Sequence, residues 1–417
     1  MIDEIKSLPE SKVSSARELY RRGMGKYTKL GTNAKAAVRA LQVDLARSGT
    51  TISNLCEEAD FAISQAFGER NEWTRVTVYP KINRIVAMVS ARVFLGQPVS
   101  RNEEWISLAT EWTSNLFALI TTTARYPAWL RPWIAPYLSE TMKALELRAR
   151  AKAILAPVLS AQLDAIANDL PPPETMRDTL ASWMMKYVAP RHMNVESLVR
   201  HQLSFSFAAI HTTTHTLYNI LFDLAAMPQY QHELREELKR VLKGCGGDLT
   251  QGDLIKLRKM DSFMRESQRF NPTNVVVPMR LTVEPLTLST GQIIPAGTPL
   301  GFFNMSINQS NSLYKYPPAE AFDGYRFGRM REAKEHENKH QFGCTGPAES
   351  FNFGHGIHAC PGRFLAAAEI KVMLVYVLQN YDLKLTEGEA RPVSRVEEVW
   401  FSVEKSASLL LRSREKV

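Results

Sequence analysis

The sequence predicts a mainly α fold with a minor β region, on three observations. Apolar residues recur at three-to-four spacing through most of residues 1–272, the period of helices that bury one face. From Thr273 to Phe303, valine runs with Pro and Gly punctuation replace that period and read as a small sheet. One more apolar helical stretch, from about Pro361 to Asn380, follows a glycine-rich loop. Many helices, then strands, then one core helix predict a single domain over 1–417. Its helical part is 1–272, and 273–417 holds the strands, a polar meander and the last helix.

The helical period runs through Ala34–Leu45, Leu55–Phe67, Ile82–Phe94 and Met142–Ala167. Before the last of these, "YPAWLRPWIAPYL" (Tyr126–Leu138) concentrates Trp, Tyr and Pro. Its prolines predict a broken loop that either packs on the core or dips into a lipid surface. "DLPPPETMRD" (Asp169–Asp178) reads as a hinge between helices. Asn194 is a good N-cap for a run that ends at Met227, before Pro228. At ~1.5 Å per residue this helix spans about 50 Å and is expected to cross the core. "QHELREELKRVL" and "LIKLRKMDSFMRESQRF" predict two amphipathic helices, the second stopping at Asn271–Pro272. After the meander and the last helix, strands are expected through Leu411.

Composition narrows the function classes. At 45% hydrophobic and 23% charged residues, the 417-residue chain is an ordinary globular protein and not a disordered one. Its four cysteines suggest no disulfide framework and lack zinc-ribbon or iron–sulfur spacing. The net charge of +8 comes without a basic run or aromatic–basic interleaving, so nucleic acid is not the expected partner. An acidic protein partner or a lipid surface suits it. No stretch reaches the ~18 apolar residues of a membrane helix, and "MIDEIKSLPESK" is neither a signal peptide nor an anchor.

Chemistry concentrates in "ESFNFGHGIHACPGRFLAAAEI" (Glu349–Ile370). Pro361 suits the first turn of a helix, which places Cys360 just before the N-terminus, where free N–H groups favour a thiolate. Gly354, Gly356 and Gly362 remove side chains, so the backbone can approach something flat. Phe353 can lie against that object, and His358 can donate to an acidic group on it. Thiolate, close backbone and a cation for a carboxylate describe a haem held by its proximal sulfur. The plainer alternative is a buried cysteine in a glycine loop.

The pattern F-x-x-G-x-[RH]-x-C-x-G, filled by Phe353, Gly356, His358, Cys360 and Gly362, resembles the haem-ligand loop of the cytochrome P-450 superfamily. The resemblance covers essentially the whole chain. It implies haem b axially ligated by Cys360, with a long central helix over the haem and the Cys-ligand loop beneath it. The family's E-x-x-R pair is matched by Glu266 and Arg269, and its meander arginine by Arg326 in "FDGYRF"; the implied role is a buried structural network. On the long helix, Ala208-Ala209-Ile210-His211-Thr212-Thr213 is similar to the family's [AG]-G-x-[DE]-T-T. Ala208 and Ala209 would let haem and oxygen approach the backbone, and Thr212 would deliver protons. His211 stands where an acid is usual, and either relays protons or is simply bonded into the bundle. Arg280 matches a propionate-binding position, against the alternative of an exposed arginine at a strand edge; Arg39 is a weaker propionate candidate. Apolar substrate contacts are expected from Phe205 to Ala209, from Val275, Val276 and Val277, and from the turn near Ser406.

"AAIHTTT", "FDGYRF" and "HACPGRF" with Lys371 are most similar to fungal members that oxidise terpenoids and related secondary metabolites. The resemblance then implies a monooxygenase using O2 and a hydrophobic small molecule. Electrons would come from NADPH through NADPH–cytochrome P-450 reductase, with cytochrome b5 as a further donor, at the cytosolic face of the endoplasmic reticulum. Such members begin with an anchor, a proline-rich hinge and the first strands; Met1 reads as starting beyond these, so the sheet is expected to have an open edge. Two other readings stay open: a haem-binding but catalytically impaired chain, and a zinc hydrolase using His211 and His215 at H-x-x-x-H spacing. "HENKH" (His336–His340) has the same spacing but reads as a solvated loop.

Overall fold

The computed structural model describes residues 2–32, 35–277, 279–315, 317–346 and 350–415. Helices dominate, with short strands interspersed, as the period of the sequence requires. The chain forms two compact units. One comprises Met1–Thr51, Ala87–His211 and Met279–Gly301; the other comprises Ile52–Val86, Thr212–Pro278 and Phe302–Val417.

In the first unit, helix Glu103–Ala124 packs on helix Ser139–Ala167. Asn102 caps the former, its Oδ1 accepting from the Trp105 N–H at 3.0 Å. Trp112 is fully buried and donates its indole N–H to the Leu203 carbonyl at 3.0 Å, which satisfies the one polar atom of a large core side chain. Arg280–Thr282 is the central strand of a small antiparallel sheet. Val13–Ser14 lies on one side, with Val13 opposite Thr282, and Pro299–Leu300 on the other, with Arg280 opposite Leu300. Val13–Ser14, too short to register as a strand in the sequence, and Pro299–Leu300 are the two edges of this sheet.

The second unit contains a sheet in which Ser408–Ser413 runs between Thr74–Thr77 and Tyr381–Lys384. Residues 273–277 are extended and bonded on both sides. Phe401 N–H meets the Thr273 carbonyl at 3.0 Å and Val275 N–H the Val399 carbonyl at 2.8 Å; Val277 N–H meets the Phe302 carbonyl at 2.9 Å. The last helix is Arg363–Asn380, beginning two residues later than the proline suggested, with Gly362 as its N-cap residue. It is buried on all sides around Val372, Met373 and Leu374, as a helix apolar all round must be.

The long helix is Val195–Ala226, and Asn194 caps it as expected, its Oδ1 accepting from the Ser197 N–H at 2.9 Å. "LIKLRKMDSFMRESQRF" is not one helix. Gln251–Lys256 and Arg258–Phe270 are separated by Leu257, whose backbone (ψ 64°) leaves the helical region. The first piece has a capping box between Thr250 and Asp253. The second has no side-chain cap of its own; the carboxylate of Glu237, from the preceding helix, accepts from Lys259 N–H at 2.7 Å and Met260 N–H at 3.0 Å. A cap supplied from another helix is invisible to a reading of local periodicity.

Glu237 is buried, and desolvation pushes its carboxyl above the usual range. Glu237→Ala leaves the buried Met260 N–H and the half-buried Lys259 N–H without acceptors, so a loss of about 1–3 kcal/mol of unfolding free energy is expected. Urea denaturation of the two proteins checks it; an unchanged midpoint would show that the remote cap is dispensable.

Candidate functional site

The Cys360 loop is shaped by glycine. Gly354 and Gly356 both sit at φ 72°, in the left-handed region that residues with a Cβ avoid. Their turns are closed by short backbone bonds: Gly354 N–H to the Phe351 carbonyl at 2.8 Å, Ala359 N–H to Gly356 at 3.0 Å and Cys360 N–H to Phe353 at 2.8 Å. Thr345 fastens the loop by donating its hydroxyl to the Ser350 carbonyl at 2.8 Å and to that of Gly354. Gly362 has an ordinary φ of −87°, but a Cβ added there would meet no heavy atom within 4 Å, so open space lies beside the helix start.

The sulfur of Cys360 is accessible, yet the protein mass around it is large enough to desolvate it, and this pushes the thiol above its ordinary range. The backbone N–H groups of Gly362 and Arg363 at the helix start pull the other way, as does the Arg363 guanidinium. An exposed cysteine at a helix start, preceded by left-handed glycines and beside open space, suits a flat group ligated through its sulfur. Phe353 and His358 are both half-buried in the same loop. The ring of Phe353 is met edge-on by Phe342 at 5.4 Å.

Glu266, Arg269 and Arg326 come together as expected. Arg269 forks onto Glu266 with bonds of 2.8 and 2.7 Å, and Arg326 Nε reaches Glu266 Oε1 at 3.2 Å. All three are at most 3% exposed, so every remaining donor needs a partner. Arg269 donates to the carbonyls of Asn308 and Ala319 at 2.7 Å, and Arg326 to that of Ala321 at 2.8 Å. The network thus pins the meander by its backbone. Sequence reasoning missed the next link: the side-chain amides of buried Asn304 and Asn308 donate to Asn352 Oδ1 at 2.7 and 3.2 Å, at the start of the Cys360 loop. No motif marks these asparagines; only burial reveals them.

On the long helix, Phe205, Ala208, Ala209 and Thr212 form a stripe at i, i+3, i+4, i+7 spacing; apart from Ala208 it is half-buried, as are Ser204, Phe207 and His211. Ala208 is exposed, whereas Ser206, Ile210 and Thr213 are buried. His211 lies against Phe117, ring centroids 4.0 Å apart. His215 Nδ1 is 3.4 Å from the Asn219 amide nitrogen. Among the described residues no group of three His, Cys, Asp or Glu is placed to hold a metal ion, so nothing supports zinc at His211 and His215. The HENKH loop is solvated at Glu337, Asn338 and Lys339, while His340 is 7% exposed and its ring meets that of half-buried His336 edge-on at 5.2 Å.

Arg280 is buried in a central strand and is not the exposed arginine of a strand edge. Burial pushes its guanidinium down from its ordinary range, and Glu10 partly offsets this. Arg39 is exposed, over the ring of Tyr187. Val275 and Val276 are half-buried and Val277 is buried. The turn expected near Ser406 is present: Ala407 N–H bonds to the Glu404 carbonyl at 3.2 Å, and Ser406 caps Glu404 with its hydroxyl at 2.6 Å.

Comparison with known proteins bears on this geometry. The cytochrome P450 family model matches residues 24–410. Cytochrome P450 monooxygenase BOA4 of Botryotinia fuckeliana is 38% identical over 99% of this chain and 83% of its own length. Cytochrome P450 monooxygenase gliF of Aspergillus fumigatus is 37% identical over 94% and 79%, and ascG of Acremonium egyptiacum 36% over 92% and 76%. Among solved structures, retinoic acid-bound cyanobacterial CYP120A1 superposes with a TM-score of 0.68 at 19% identity, over 90% of this chain and 78% of that one. The likeness to CYP120A1 shows the fold; the family match and the fungal relatives show more. The family's haem is held through a cysteine thiolate, and the enzymes incorporate oxygen from O2. This chain belongs to the cytochrome P450 family and is an oxidoreductase of the monooxygenase type.

Proposed function

We propose that the chain binds haem b with Cys360 as the iron's axial ligand, and inserts one oxygen atom into a hydrophobic small molecule of the terpenoid or a related secondary-metabolite class. The observation that carries this is Cys360 itself: exposed, placed just before the start of helix Arg363–Asn380, and preceded by Gly354 and Gly356, whose backbone only glycine adopts easily. When bound, the haem supplies the one-electron and oxygen chemistry that protein side chains lack.

The chain's own residues bind, orient and move protons. Gly354, Gly356 and Gly362 leave room for the ring, Phe353 packs on it, and His358 and Arg280 hold its carboxylates. Ala208 and Ala209 keep the stripe of the long helix open. Thr212 holds a proton at its hydroxyl, and the His211 imidazole exchanges one with solvent, in the place of the family's usual acid. Phe205, Val275, Val276 and Val277 give the substrate apolar contact. Electrons come from NADPH through a cytochrome P450 reductase, with cytochrome b5 as a second donor, and the positive net charge of the chain favours such acidic partners.

No helix of the described residues is long and apolar enough to cross a membrane. A peripheral seat on the endoplasmic reticulum is supported by Trp129, Trp133 and Tyr137, which are 73%, 74% and 86% exposed on one proline-rich segment; the sequence read it as a loop, but it forms short helical turns at Arg131–Ile134 and Ala135–Tyr137.

The ligand assignment is tested by the spectrum of the reduced, carbon monoxide-bound protein. The wild type is expected to show the band of thiolate-ligated haem and Cys360→Ser to lack it; a variant that kept it would refute the assignment. NADPH consumption with a reductase, measured against a panel of terpenoids, then tests the substrate class. Replacing Trp129 and Trp133 together by Ser is expected to lower co-sedimentation with phospholipid vesicles at least about tenfold, since two exposed indoles supply most of the apolar contact. Equal binding by both proteins would place the lipid contact elsewhere.

A further inference from the structure

The E-x-x-R helix carries a second buried carboxylate that the family motif does not include. Asp261 lies in the first turn of Arg258–Phe270 and is 4% exposed. Its Oδ1 is 2.6 Å from Lys371 Nζ, on the last helix. Its Oδ2 accepts the Phe342 N–H at 3.0 Å and lies 3.4 Å from Arg331 NH1. Lys371, Arg331 and Phe342 are all buried as well.

The two arms of the ligand loop therefore end on one carboxylate. Phe342 is where the chain leaves the meander toward Cys360; Lys371 is on the helix that begins just after it. The arms also meet directly, because a Cβ added to Gly343 would lie 3.1 Å from the ring of Phe364. Arg265, one turn along from Asp261, holds the upstream arm again by donating to the Gln341 carbonyl at 2.9 Å. From Phe342 the contact continues by ring to Phe353, inside the loop. Glu266 pins the meander; Asp261 closes the loop that follows it.

We propose that Asp261 is a positioning residue for Cys360: with Lys371 and the Phe342 N–H it fixes the separation of the loop's two arms, and so holds the sulfur in the place where it ligates iron as a thiolate. A buried ion pair adds little net stability, so a role in geometry explains its placement better than a role in stability alone. The proposal rests on Cys360 as the ligand, and the test separates the two.

Asp261→Asn keeps the shape and an acceptor for the Phe342 N–H but removes the charge facing Lys371; Lys371→Gln releases only the downstream arm. Two readouts are taken well below each protein's melting temperature. One is the fraction of thiolate-ligated haem in the reduced carbon monoxide spectrum. The other is the rate of Cys360 alkylation by iodoacetamide in haem-free protein, with the other cysteines as internal controls. Both variants are expected to shift haem from thiolate toward neutral-thiol ligation and, because the thiolate is the nucleophile, to slow alkylation of Cys360 alone, Asp261→Asn by about tenfold. Lys371→Arg, which restores the charge, is expected to return both readouts toward wild type. If melting temperatures fall while thiolate fraction and alkylation rate stay at wild-type values, Asp261 is a stability element and the proposal is overturned. If the wild type itself shows no thiolate band, the ligand assignment fails instead, and the alkylation rates still decide whether Asp261 governs the loop. Should Asp261→Asn not fold, the Lys371→Gln and Lys371→Arg pair decides by the same criteria.

Discussion

A helix that buries Asp261, Arg265, Glu266 and Arg269 within three turns exists only if each charge meets a partner in the dry interior. Most of those partners are not side chains. Backbone carbonyls of Asn308, Ala319 and Gln341 and backbone N–H groups of Phe342 and Asp323 take them up. A segment without regular hydrogen bonding is thereby given a unique path, because any other path would strand a guanidinium or a carboxylate. The irregular meander, long for a loop, is ordered by the charges of a neighbouring helix together with its own Arg326 and Arg331. The fixed approach to the Cys360 loop depends on this one matching of buried charge to backbone.

What was legible follows from how local each signal is. Asn194, the end of the long helix at Pro228 and the stop at Asn271 are decided by residues a turn apart, and all stand as read. The break at Leu257 was hidden because the apolar period runs straight across it while its cause, Glu237, lies a whole helix upstream. The Val13–Ser14 strand exists only through its pairing with Arg280–Thr282, and no two-residue pattern can announce that. At the site, Glu266, Arg269, Arg326 and Cys360 were readable because each belongs to a spaced motif. Asp261, Arg331, Asn304, Asn308 and Asn352 carry no spacing; they are ordinary polar letters until burial makes them partners.

The sulfur shows why so much structure surrounds one atom. Desolvation favours the neutral thiol, and two N–H groups and one guanidinium oppose it only in part. A bound cation inverts that preference, since a coordinating thiol is deprotonated outright. The thiolate and the cofactor are then mutually dependent, and ligand binding and loop order become one linked equilibrium. Such a loop is best served by anchors that do not themselves involve the ligand. Glycine turns, the Asn352 clasp and the two ends on Asp261 all meet that condition, because none of them uses an atom that the cofactor would need.

The same reasoning applies to the long helix, where the departure from the family pattern lies. A carboxylate at position 211 would be drawn toward water or a cation, away from the flat ring of Phe117. The imidazole of His211 instead lies against that ring, tilted by 30° with centroids 4.0 Å apart. An aromatic partner can hold an imidazole in either protonation state, whereas a carboxylate there would face an aromatic π-cloud of the same sign. Phe117 and His211 therefore form a matched pair, and the substitution of His for an acid at 211 is coherent with the aromatic side chain that the facing helix presents.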